Sequence, residues 1–308
     1  MNRLTYAPDL IEEAVLLAER SAAPSDVRGF RRERDRIYEI ADAEVREASF
    51  RTLHLGCFAR LRLDGVIEQV MREHPDIVGR LQACRVVRAL TRQEEGADLV
   101  DAIAPGDGRG QPILVLRLRS TTIVEPDTLR ALLRHELMHV ADMLDPTFGY
   151  ERTLPSSNDG PSSETILRDR YRVLWDTTID GRLVRAGLSG GSTRDARWRE
   201  FAAAFAMLGE RGPTAFERWF AEPRPGHAEI VRFATAPLGV AGGRDTSRCP
   251  LCRFPVATLD SRAERAPEPL LTAIREQHPT WHAEDGLCPQ CFDLYEARYG
   301  HECSNVAG

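Results

Sequence analysis

Lysine is missing from this chain of 308 residues, so all 41 of its basic residues are arginine. Codon bias in a GC-rich genome accounts for such a skew. It takes diagnostic weight away from arginine clusters such as "FRRERDR" (30–36), which reads as the solvated face of a helix. Long apolar runs are missing too, and none approaches the roughly 20 residues that a membrane-spanning helix needs. The opening stretch, "MNRLTYAPDLIEEAVLLAER", mixes acids among its apolar residues and lacks the h-region of a signal peptide. A soluble, untargeted, cytoplasmic protein with no membrane partner is expected. The net charge of -6 gives no general attraction to polyanions, so nucleic acid is not expected as a partner. Internal repeats and low-complexity tracts are also absent.

What is present is the composition of an ordinary globular chain, 42% hydrophobic and 29% charged. Residues 8–75 repeat apolar side chains at three- and four-residue intervals, the helical period. "CRVVRALT" (84–91) and "PILVLRLRS" (112–120) are richer in β-branched residues and read as strands, the second behind the turn cluster "PGDGRGQ". Pro126 and Asp127 suit a helix start. That helix must end near Leu144, because Pro146 disfavours helical geometry at Asp145. Residues 146–163 read as a loop, and roughly 164–186 as a long helix. "DARWREFAAAFAMLGE" and "TAFERWFAE" read as further helices, and 237–247 as a Gly-rich linker.

The helix over 126–144 carries "HELMH". His135 and His139 are four residues apart, so they share a helical face at about 5–6 Å between Cβ atoms, close enough for two imidazoles to reach one zinc ion. Glu136 falls roughly a quarter-turn away. From there it need not ligate and can take a proton from a zinc-activated water. Leu129, Leu132, Leu133, Leu137, Met138 and Val140 supply the apolar flanks. With the strand just before it, residues 112–144 resemble the core of zincin metallopeptidases. There, a strand of this kind lies along the active-site cleft and the H-E-x-x-H helix packs beneath it. The resemblance implies a zinc-dependent peptidase, with His135 and His139 as ligands and Glu136 as catalytic base.

A catalytic zinc needs a third protein ligand and an open position. Asp145 stands where metzincins place theirs, but Asp142 occupies the position of their turn glycine, and no clear Met-turn follows. The resemblance is closer to gluzincins, which take an acid from a helix downstream. "RYRVLWDTTIDGRLVRAG" offers Asp176 and Asp180 at i and i+4 in a helix otherwise apolar enough to be buried, where unpaired charge is costly. Asp180 is the expected ligand, and Asp176 its supporting partner or alternative. Arg172 and Arg182 are the competing explanation, as simple ion-pair partners of those acids. Asp142, seven residues after His135, could accept a hydrogen bond from a ligand imidazole. Tyr150 and His227 could stabilise an oxyanion.

Two C-x-x-C pairs, "RCPLCRF" and "LCPQCFD", are separated by 35 residues. Without a secretion signal such pairs indicate metal more than disulfides. Cys249, Cys252, Cys288 and Cys291 form a set for one structural zinc, resembling the zinc ribbon family with a helix, 267–281, inserted between the knuckles. His301 and Cys303 are superfluous to it. Cys57 and Cys84, in apolar surroundings, read as buried free thiols.

The expected architecture is therefore α+β: a helical N-terminal region (1–80), a helix-rich zincin-like metallopeptidase core with a small sheet (81–236), and a C-terminal zinc ribbon with four cysteine ligands (248–308). The layout loosely resembles SprT-like proteins. Those have a third histidine after the motif, and this chain has none between His139 and His227, so their association with DNA is not carried over. Two zinc ions, one catalytic and one structural, and a peptide or protein substrate are expected. The rival expectation is an inactive zincin-fold binding protein whose ribbon docks a protein or nucleic acid.

Overall fold

Alternation makes the strands of this chain. In "ILVLRL" (β4, Ile113–Leu118), Leu114, Leu116 and Leu118 are buried while Arg117 is exposed, the period of two of a strand with one face on a core. The computed structural model describes residues 4–20, 24–100, 110–155, 161–189, 193–238, 247–256 and 259–299. It divides the chain into two compact units, Met1–Leu144 and Asp145–Gly308.

In the first unit the elements run β1 (Leu4–Tyr6), α1 (Pro8–Glu19), α2 (Pro24–Tyr38), α3 (Ala43–Arg60), α4 (Gly65–Glu73), α5 (Pro75–Arg80), β2 (Ala83–Arg88), β3 (Gly96–Val100), β4, α6 (Ser120–Ile123) and α7 (Pro126–Leu144). The strands form one mixed sheet in the order β1-β2-β4-β3. β1, β2 and β4 are parallel, with Val86 opposite Leu116. β3 lies antiparallel to β4 at the edge, with Ala97 opposite Leu116. The N-terminal region is thus not wholly helical, since β1 closes the other edge of the sheet.

α7 carries a buried stripe of Leu129, Leu133, Leu137 and Val140, each at most 1% exposed. Burial of that kind contributes about 1.5–3 kcal/mol per large apolar side chain. The stripe joins a core of Leu10, Val15, Phe58, Ile67, Val86 and Leu116. Cys57 and Cys84 lie buried in the same core, and burial pushes the Cys84 thiol up to about 12.

The second unit is built on α8 (Pro161–Arg185), against which α9 (Thr193–Ala204), α10 (Gly212–Ala221) and α11 (His227–Thr235) pack. Aromatic rings fill the space between, with Phe201 and Phe205 at 4.7 Å and Phe216 and Phe220 at 5.3 Å between centroids. A hairpin of two-residue strands follows, β5 (Ser247–Arg248) and β6 (Pro255–Val256), then α12 (Glu268–Gln277) and α13 (Pro289–Tyr299). Among the described residues, no helix is long and apolar enough to cross a membrane.

Two glycines give predictions of opposite sign. A Cβ at Gly181 of α8 would stand 1.8 Å from the Phe220 carbonyl oxygen of α10. Gly181→Ala should therefore destabilise the chain by about 2 kcal/mol or more, the cost of overpacking a tight contact. Gly56, inside α3, has nothing within 4 Å of that position. Gly56→Ala should stabilise by about 0.5–1 kcal/mol through backbone entropy alone. Urea denaturation of both variants against wild type measures each.

Candidate metal centres

Residues 135, 139 and 142 of α7 fall at i, i+4 and i+7, away from the stripe that packs into the core. His135 and His139 are half-buried, and their Nε2 atoms lie 3.3 Å apart with the rings tilted at 68°. Two nitrogens each about 2.05 Å from one ion, at a tetrahedral angle, stand about 3.3 Å apart. The pair thus has the separation of two ligands of one tetrahedral ion. Glu136 lies beside them, and its Oε2 accepts a 2.9 Å hydrogen bond from the Ala97 backbone N–H of edge strand β3. A Cβ at Gly96 would come within 3.3 Å of the same oxygen, so the strand passes close by. Oε1 has no hydrogen-bond partner among the described residues. Asp142 is 7% exposed, a carboxylate largely removed from water on the helix that carries the histidines.

Asp145 is exposed. Its Oδ1 accepts the N–H of Thr147 at 2.8 Å and the Thr147 hydroxyl at 2.9 Å, a turn-forming arrangement that starts the segment after α7.

The acids of α8 are buried, Asp176 at 6% and Asp180 at 5% exposure. Arg172 donates to Asp176 Oδ2 at 3.1 Å, the ion pair anticipated as the competing explanation, and Arg182 donates to the Thr178 carbonyl at 3.3 Å. The larger partner is Arg197 of α9. Its Nε donates to Asp180 Oδ2 at 2.7 Å and one of its terminal nitrogens to Asp176 Oδ2 at 3.1 Å. Arg197 escaped the sequence reading because it is one of several arginines in "TRDARWREF", and only the packing of α9 on α8 singles it out.

Tyr150 and His227 lie in one aromatic cluster of the second unit, 5.8 Å apart between ring centroids, together with Phe148 and Trp175. The Tyr171 hydroxyl is 2.7 Å from His227 Nδ1, a partner that nothing in the spacing pointed to. Burial holds His227 below the usual histidine range, against a smaller opposing effect of Glu151.

The four cysteines of the two C-x-x-C pairs converge. All are buried, and their sulfur atoms lie within 4.8 Å of one another. Cys252 Sγ and Cys288 Sγ are 3.8 Å apart, the edge of a tetrahedron with metal–sulfur bonds of about 2.3 Å. Hydrogen bonds with Cys252, Cys288 and Cys291 draw the Cys249 thiol far below its usual range, and the same contacts push Cys291 far above it. A cation at the centre lets all four be thiolates. Backbone N–H groups of Cys288 and Cys291 already point at Cys249 Sγ and Cys288 Sγ, at 3.4 and 3.3 Å. The first pair follows hairpin strand β5, whereas the second opens α13, with Pro289 at the first helical position. His301 and Cys303 lie outside the described residues.

Arg170 of α8 tests the fit. Its side chain is 1% exposed, stacks 4.4 Å over the Phe254 ring and donates to Gln290 Oε1 at 3.0 Å. One terminal nitrogen is buried with no hydrogen-bond partner among the described residues. Burial pushes this guanidinium down from its ordinary value, and Cys252, Cys288 and Cys291 oppose that. Four thiolates around a divalent ion carry a net charge of about −2, and the buried cation supplies part of the compensation. The residues present therefore fit a metal–tetrathiolate.

Arg170→Met, which keeps the volume and removes the charge, should lower the metal affinity of the cysteine site by about 10–100-fold, as for other groups that support a ligand set. Competition with a chromogenic chelator measures this, and wild-type retention in the variant would contradict it.

Compared with known proteins, the chain matches no family model, no curated protein and no solved structure, so its reading rests on its own residues and geometry.

Proposed function

We propose that the chain is a zinc-dependent metallopeptidase of zincin-like architecture, whose cysteine module holds a second, structural zinc in the manner of a ribbon. The observation that carries this reading is the 3.3 Å separation of His135 Nε2 and His139 Nε2 on one helix, with Glu136 between them in sequence. The antiparallel edge strand beside that helix supports it. Asp180 is the proposed third ligand, as the gluzincin resemblance implies for an acid on a downstream helix, and Asp176, four residues before it on α8, is the alternative. The turn at Asp145 leaves it the weakest of the three candidates.

Zinc, when bound, would acidify a water molecule and polarise the scissile carbonyl. The chain's own residues do the rest. Ala97 holds one oxygen of Glu136, which fixes the carboxylate and leaves Oε1 to accept the proton of the attacking water. Glu136 then returns that proton to the leaving amide nitrogen. Tyr150 or His227 would donate to the oxyanion. Asp142 would orient a ligand imidazole by accepting its N–H. The substrate is a peptide or protein. Glu136 weighs against the rival reading, a binding module that docks a protein or nucleic acid through the cysteine site, because a purely structural ion has no use for that carboxylate.

Glu136→Gln should retain all bound zinc and hydrolyse a fluorescence-quenched peptide library about 10²–10⁴-fold more slowly. Unchanged turnover in that variant would remove the peptidase reading. His135→Ala/His139→Ala should lose one of two zinc ions by elemental analysis, and Asp180→Asn should lose the same ion while Asp176→Asn keeps it. Loss in Asp176→Asn alone would exchange the roles of the two acids.

A further inference from the structure

Away from α7, the first unit contains a cavity of about 350 Å³ bounded by α1, α2 and α3. That volume is at the small end of ligand pockets, which run from about 300 to 1,000 Å³. Its floor holds His54, 7% exposed and flanked by the rings of Phe30 and Phe50 at 5.8 and 6.3 Å. No hydrogen bond reaches this imidazole among the described residues, although buried polar groups are nearly always paired. Burial holds it below the usual histidine range and outweighs the opposing pull of Glu12 and Glu47, so the ring is neutral, with one donor and one acceptor nitrogen.

Among the described residues, the charged lining forms no ion pair within itself. Glu12, Glu47 and Arg51 make no ion pair among the described residues. Among the described residues, Arg34 reaches its neighbour Asp35 alone, at 3.6 Å, and its Nε is buried with no hydrogen-bond partner. Two acids and two arginines thus line one small space without neutralising one another. Ile11, Leu16, Tyr38 and Phe50 supply the apolar remainder. A lining of this kind matches a molecule that carries both charges at one end and an apolar body at the other. The acids would take an ammonium group, the arginines a carboxylate, and the rings an aromatic side chain.

We propose that this cavity binds a free α-amino acid with an aromatic side chain, with its ammonium group toward Glu12 and Glu47 and its carboxylate toward Arg34 and Arg51. The site is separate from α7 and does not depend on the peptidase reading.

Isothermal titration of the full chain with L-phenylalanine should give saturable binding with a Kd between about 10 μM and 1 mM. N-acetyl-L-phenylalanine, which lacks the ammonium, and L-phenylalaninamide, which lacks the carboxylate, should each bind at least about 10-fold more weakly, a loss of one charged contact. Glu47→Gln should weaken L-phenylalanine and its amide but not the N-acetyl compound, and Arg51→Gln should do the reverse. Both positions are exposed, and circular dichroism checks that the variants fold. His135→Ala/His139→Ala should bind L-phenylalanine as wild type does, which separates this cavity from a product site on α7. No saturable heat up to about 10 mM would overturn the proposal, since that is weaker than any built pocket should be. So would binding that ignores both charge variants, or binding that disappears in the double histidine variant.

Discussion

Charge removed from water has to meet opposite charge, and the second unit is arranged around that constraint. α8 runs through its core carrying Arg170, Asp176 and Asp180, each at most 6% exposed. An isolated buried ion costs many kcal/mol, so none of the three is tolerable without a dedicated partner. Arg197 answers the two acids from α9, and the cysteine cluster answers Arg170. The helix therefore holds its neighbours by polar as well as apolar contacts. The charges also constrain direction, because a rotation of α8 that preserved its apolar packing would strand all three.

The first unit solves a different problem. α7 must bury one stripe and present another. Leu129, Leu133, Leu137 and Val140 anchor it in the core and thereby fix where His135 and His139 point. A helix held by four buried apolar residues has little freedom to roll, which keeps the two imidazole nitrogens 3.3 Å apart. Glu136 is restrained from a second direction by the backbone of β3. Preorganisation of this sort reduces what binding must spend on ordering side chains.

Much of this was legible in the sequence. The limits of α7 followed from Pro126 and Pro146, and β4 from its alternation behind a glycine cluster. The limits of α8 were readable to within three residues at its start and one at its end. β1 and β3 were not read, for a physical reason. They have three and five residues, "LTY" and "GADLV", too few to establish a period, and their pairing energy comes from β2 and β4. The donors at the centres, His135, His139 and the four cysteines, were visible because ligand chemistry constrains spacing along the chain. Their supports, Ala97, Arg170 and Arg197, were not, because a buried charge or carboxylate accepts a partner from any distance in sequence. Pro289 directly after Cys288 did signal that the second C-x-x-C opens a helix, a cue overshadowed by the likeness of the two pairs.

The stacking of Arg170 over Phe254 bears on how the chain can be dissected. By composition, the Gly-rich segment 237–247 is an inviting place to cut and release the cysteine module as a free-standing domain. The guanidinium of α8 takes its ring partner, its amide partner Gln290 and its neighbouring cysteine sulfurs all from beyond that segment. Truncation there would strip those partners and leave the buried guanidinium its 3.3 Å hydrogen bond to the Ala204 carbonyl, a poor exchange for a charge removed from water. The module behaves as the last layer of the second unit, and the Gly-rich segment before it is a poor place to divide the chain.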